Sequence, residues 1–207
     1  MRSLPESLCQ ELVSQDPHLT PVLALAGLRD PDPRHACQVM ILSDQIFTGL
    51  SPLHQLDPSQ RRLLRYAALL HDIGWSIPSL PHHKASMQLI LDDRTIPLTD
   101  GERIFTALTA RYHRKAHPSV DHPLFGRLTP ETQAQVCWAA AILRVADLLD
   151  RTHDSRVMRV VTVFTPDTVT LTGETGGAPL SSDPDDPVLR KKTSLLAEVS
   201  GREVRIR

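Results

Sequence analysis

The feature that most constrains this chain is AAAILRVADLL, residues 139–149, the most apolar helical stretch in the sequence. Thr129-Pro130 supplies a cap and a first-turn proline, so the helix is expected to run from about 130 to 149. It is apolar on most of its faces, which a helix tolerates only where other elements surround it. A mainly α fold built around a central helix follows. One residue breaks the pattern: Asp147 stands among alanine, valine and leucine. A buried carboxylate is costly unless it meets a cation, a hydrogen-bond network or a metal. Arg144 or Arg151 could serve as a structural ion-pair partner, and a metal is the other reading.

Other segments supply the partners for that helix. Residues 4–13 read as a short helix, and 33–50 as a stronger one with His35, Val39, Leu42, Ile46 and Leu50 on one stripe. Asp57-Pro58 opens a helix containing Leu63, Leu64, Ala67 and Leu70, and Gly74 ends it. A fourth helix is expected over 83–93, and the capping box Thr99-Asp-Gly-Glu102 opens a fifth that ends near Tyr112. The character changes after about residue 155. Residues 157–164 and 168–172 are β-branched runs flanking Pro166-Asp167, a hairpin pattern. Residues 173–186 read as loop, 187–199 as a helix stopped by Gly201, and 203–206 as a last strand. The expected organisation is a helical domain over 1–155 carrying a small strand-rich α/β (β-α-β) tail over 156–207.

Composition narrows the function. The chain has 23 basic and 24 acidic residues, so no basic footprint for nucleic acid is expected. No apolar run approaches the roughly 18 residues of a membrane span. The start, MRSLPESLCQ, does not read as a secretory signal. Cys9, Cys37 and Cys137 stand far apart with no CxxC pair, consistent with a reducing cytoplasm. A homodimer is the expectation from the general prevalence of twofold assemblies.

Histidine is in excess, with ten residues against four Phe, two Trp and two Tyr. His18, His54 and His153 read as ordinary packed or surface residues. His71-Asp72 differs, because it lies where an apolar helix ends. Neighbouring helical side chains diverge by about 100°, so an adjacent pair shares one ion only at such an end. His35 lies on a core-facing stripe, His83 opens a helix, and His113 closes one. With Asp147, these residues make a coherent metal cage. Imidazole and carboxylate donors without thiolate suit Mn, Fe, Co, Ni or Mg better than a structural zinc.

Five stretches carry a resemblance. They are HACQVMILSDQIF (35–47), LRYAALLHDIGWSI (64–77), HHKASMQLI (82–90), ALTARYHRKAHP (107–118) and AAILRVADLLDRTH (140–153). Their order H…HD…D resembles the HD-domain metal-dependent phosphohydrolases. They are most similar to the C-terminal HD domain of the exopolyphosphatase and guanosine-pentaphosphate phosphatase family. That resemblance implies an HD-domain helical bundle that binds one or two divalent ions. His35, His71, Asp72 and Asp147 would hold one ion, and His83 and His113 a second, with Asp72 bridging. His82, His117 and His122 are alternative ligands if the register is shifted. Asp72 and Lys84 would take catalytic roles. Lys84, Arg114 and Lys115 would bind substrate phosphate, while Arg144, Asp150 and Arg151 would orient helices or ligands.

The implied activity is cleavage of a phosphate ester or anhydride by metal-activated hydroxide. Candidate substrates are nucleotides, alarmones, polyphosphate or another phosphorylated small molecule. Two departures qualify it. The actin-like domains and glycine-rich phosphate loops of the larger enzymes have no counterpart here, and Ala85 stands where relatives often have a further histidine. The alternative is therefore a regulatory module that binds polyphosphate or nucleotide without cleaving it.

Overall fold

The computed structural model describes residue 14, residues 16–176, residue 183 and residues 185–207. The helix expected over 4–13 lies outside them, as does half of the loop expected over 173–186, whose first three residues extend a strand instead. Among the described residues are seven α-helices: α1 (Leu19–Arg29), α2 (Pro33–His54), α3 (Pro58–Leu70), α4 (His82–Asp92), α5 (Asp100–Arg111), α6 (Pro130–Leu149) and α7 (Pro187–Ser200). A 3-10 turn, Ile73–Ser76, follows α3. Strands β1 (Val157–Phe164), β2 (Thr168–Thr175) and β3 (Glu203–Ile206) form one small sheet.

Local chemistry sets the helix ends. Asp57 accepts from the amides of Ser59 and Gln60 at 2.6 and 3.1 Å, and the Gln60 side chain accepts from the Asp57 amide at 2.7 Å. The capping box at Thr99 and Glu102 is closed in the same reciprocal way. Asp57→Ala is expected to cost about 1 kcal/mol, read as a lower urea midpoint, because α3 then starts with uncapped amides.

Helix α6 has the central place its composition requires, with all residues from Ala139 to Ala146 buried. It packs against α2, α3, α5 and α7. Helix α1 has no counterpart in the sequence reading. It buries Leu19, Val22 and Ala26, and it reaches α3 and the 3-10 turn.

The sheet order is β1-β2-β3, antiparallel between the first two strands and parallel between the last two. It leans on α2 through β1. The Val160 amide donates to Gln45 Oε1 at 2.7 Å, and a Cβ at Gly49 would lie 2.6 Å from that of Thr162. Helix α7 returns the chain to α6, burying Leu195 and Leu196. The element order after α6 is thus two strands, a helix and a strand, so the tail is β-β-α-β.

Candidate metal centre

Four element ends and one helix interior meet. His35 lies in the first turn of α2, His71 and Asp72 just past α3, His82 at the start of α4, His113 just past α5, and Asp147 near the end of α6. The α3 helix stops at His71, and Asp72 leaves helical geometry with φ −110° and ψ 4°. That break lets the adjacent side chains converge, with His71 Nε2 3.7 Å from Asp72 Oδ2.

Two groups result. His35, His71 and Asp147 bring three potential ligand atoms within 4.8 Å of one another, and so do Asp72, His82 and His113. In the first group Asp147 Oδ1 is 3.4 Å from His35 Nε2 and 4.0 Å from His71 Nε2. In the second, Asp72 Oδ1 is 3.4 Å from His82 Nε2 and 3.6 Å from His113 Nε2. The two oxygens of Asp72 therefore face different groups.

Three of the imidazoles are oriented through Nδ1. His35 Nδ1 donates to Asp150 Oδ2 at 2.8 Å, His71 Nδ1 to the Ala68 carbonyl at 2.7 Å, and His113 Nδ1 to the Ala110 carbonyl at 2.6 Å. Each such bond turns Nε2 toward the centre, the arrangement by which proteins aim imidazoles at ions. His35 Nε2, His71 Nε2 and Asp72 Oδ1 are buried with no hydrogen-bond partner. Unsatisfied buried polar atoms are rare, so three at one point call for something that binds them. Nitrogen and oxygen donors with no thiolate fit a divalent ion of the Mn, Fe, Co, Ni or Mg type.

The electrostatics agree. Burial would raise Asp72, yet the nearby His71 and His113 hold it below the usual carboxylate range. Burial works against Asp147 too, but His35 and Lys192 keep it well below that range. Burial lowers His82 to about 4 and His113 well below its ordinary value, so both rings are neutral near pH 7. Burial also disfavours charge on His35, but Asp147 and Asp150 outweigh it and raise the group to about 10. A divalent ion there competes with a proton.

The structure departs from the expected ligand set at one position. His82, not His83, joins Asp72 and His113. Helix α4 begins one residue earlier than expected, and the 100° step places only one of two adjacent histidines toward the centre. His83 is buried beside it, with ring centroids 5.7 Å apart. The other alternative ligands lie elsewhere. His117 bonds Glu198 and Ser194, and His122 bonds Tyr112.

The expected supporting residues divide. Asp150 is fully buried and holds His35. Arg144 is also fully buried, but it donates to the carbonyls of Tyr112, Lys115 and Lys191, fixing the turn that bears His113. Arg151 pairs with Asp186 at the surface. Neither arginine hydrogen-bonds Asp147. That place is taken by Lys192 of α7, whose Nζ also donates to the His113 carbonyl at 3.1 Å.

Lys192 was not singled out by the sequence, because Arg190-Lys191-Lys192 reads as a solvated helix face. His153, read as an ordinary residue, stacks on His35 at 3.8 Å between centroids and bonds Asp32. Trp75 stacks on His82 at 4.1 Å and is 54% exposed. Among the cations expected to bind phosphate, Arg114 Nη1 lies 3.1 Å from His82 Nε2, whereas Lys84 is exposed and makes no side-chain hydrogen bond among the described residues. Arg114, Lys115, Arg144, Lys191 and Lys192 line a cavity of about 390 Å3 beside the centre, with Pro187 and Val188 and no acidic residue.

Among the described residues no helix is long and apolar enough to cross a membrane. None of the curated proteins matches the chain. The family model of the Ppx/GppA phosphatase, domain III, matches residues 21–178, well over half of the chain and every residue of the two His/Asp groups. The chain belongs to the Ppx/GppA phosphatase family, as a bearer of its domain III.

Proposed function

We propose that this chain is a metal-dependent phosphohydrolase of HD type, acting on a phosphate ester or anhydride of a nucleotide, an alarmone or polyphosphate. One observation carries the reading: buried, unpartnered His35 Nε2, His71 Nε2 and Asp72 Oδ1 converge with Asp147, His82 and His113. His35, His71 and Asp147 would hold one ion and His82 and His113 a second, with Asp72 offering an oxygen to each. Such ions, when bound, supply Lewis acidity and a water nucleophile available at neutral pH. The 1–155 helical region houses this centre in the proposed HD domain, and the 156–207 tail supports it.

The protein's own residues perform the remaining tasks. Arg114 and the cavity lysines Lys115, Lys191 and Lys192 offer donors for non-bridging phosphoryl oxygens. A cavity of about 390 Å3 with only cations among its charged lining favours more than one phosphate group. Asp150, Ala68 and Ala110 keep the three imidazoles turned so that the geometry exists before substrate arrives. Arg114→Ala is expected to lower kcat/KM by about 10–100-fold, the scale of a lost charge-assisted hydrogen bond. Lys84→Ala is expected to stay within about twofold, because Lys84 lies outside that cavity. Steady-state kinetics on both variants check this ordering.

A second reading has its own support. The match is to the family's domain III, which favours a module that holds polyphosphate or nucleotide without cleaving it. A phosphate-release screen with Mn, Fe, Ni and Mg over nucleotides, ppGpp and polyphosphate separates the two. Release that requires the ion and stops on chelation is the expected result. Tight ion-dependent binding without release would establish the module instead.

A further inference from the structure

We infer that Lys192 is a positioning residue of this centre, holding the Asp147 carboxylate so that one oxygen stays turned toward His35 and His71. The inference rests on the metal-centre reading above and concerns a residue outside the family-matched segment, 21–178. Asp147 divides its oxygens: Oδ1 faces the two imidazoles, and Oδ2 is bonded by the Lys192 ammonium. The same ammonium donates to the His113 carbonyl, so one cation ties a residue of the first group to the backbone of the second.

The lysine is held in place by its helix. Leu195 and Leu196 bury α7, Arg144 donates to the Lys191 carbonyl at 3.0 Å, and His117 bonds Ser194 and Glu198. The Lys192 side chain is 17% exposed, whereas its neighbour Lys191 is open to solvent. An ammonium that has left water this far is held by its partners, here a carboxylate and a carbonyl. Without it, Asp147 Oδ2 loses the only cation that bonds it among the described residues, and the carboxylate is free to turn about its terminal torsion. Two physical effects then oppose each other. Loss of alignment weakens ion binding, whereas loss of a neighbouring positive charge strengthens it. The inference is that alignment wins.

Mn(II) affinity of the full chain without substrate, read from the electron paramagnetic resonance of the free aqua ion, decides this. Lys192→Met is expected to weaken Mn(II) binding by about 10–100-fold, the range for losing a group that orients a ligand, and Lys192→Arg to restore most of it. A role confined to binding substrate phosphate would leave the substrate-free affinity unmoved. Equal or tighter binding by Lys192→Met overturns the inference. Circular dichroism checks folding, and Lys192→Gln, which keeps a donor without the charge, replaces Lys192→Met if that variant does not fold, with the same two outcomes. If the unmodified protein takes up no Mn(II) or other divalent ion, the centre itself fails. If it does and the variants match it, only the role of Lys192 fails.

Discussion

Asp72→Ala is expected to strip the protein of bound divalent ion altogether, whereas His113→Ala leaves the His35, His71 and Asp147 group able to hold one. The difference follows from Asp72 facing both groups, with Oδ2 3.7 Å from His71 and Oδ1 3.6 Å from His113. Elemental analysis of freshly purified protein reads the stoichiometry. The loss should exceed the ~10–100-fold fall in affinity caused by removing a group that merely orients a ligand. Phosphate release should drop to the level of the chelated protein. Undiminished ion content in Asp72→Ala would remove the basis of the centre.

The legible part of this protein was the part written in periodicity and capping. The central helix, the helix start at Asp57-Pro58, the capping box at Thr99 and the strand runs after residue 156 all rest on local chemistry. Asp147 stood out because an acid in an apolar helix needs a partner wherever the chain goes. Its actual partner was hidden. Lys192 lies 45 residues further on, and nothing local separates it from Lys191. Only the docking of α7 on α6 distinguishes them. Helix α1 escaped for a different reason. Leu19, Val22 and Ala26 have helical spacing, but Pro21 and Gly27 read as breakers and His18 gives no side-chain cap. Asp30, at the end of that helix, is a further buried acid near the centre, and no apolar run advertised it. The choice between His82 and His83 depended on a one-residue shift in where α4 begins, finer than any periodicity resolves.

Gly74 illustrates how a residue read as a helix stop serves a tertiary need. Its φ is ordinary, so conformational freedom is not its purpose. A Cβ there would lie 2.0 Å from the His82 carbonyl oxygen and 2.5 Å from the Ser86 amide nitrogen. Both are backbone atoms, so no side-chain rotation relieves the clash, and α4 would have to retreat. The join it would break is specific: the Gly74 amide donates to Ser86 Oγ at 2.9 Å, and Ser86 Oγ donates to the His71 carbonyl at 2.6 Å. Gly74→Ala is therefore expected to destabilise the fold by about 3 kcal/mol, at the upper end of overpacking costs, with lost hydrogen bonds added. Ion binding should change selectively. His82 moves with α4, so the group with Asp72 and His113 opens, while His35 and Asp147 sit on α2 and α6, His71 caps the end of α3, and these three stay together. Gly101→Ala is the control, since a Cβ there meets nothing within 4 Å and α5 should gain up to about 1 kcal/mol. Urea denaturation and Mn(II) titration of the two variants test both halves. A Gly74→Ala protein with full stability and unchanged ion stoichiometry would mean that α4 does not need this contact to present His82.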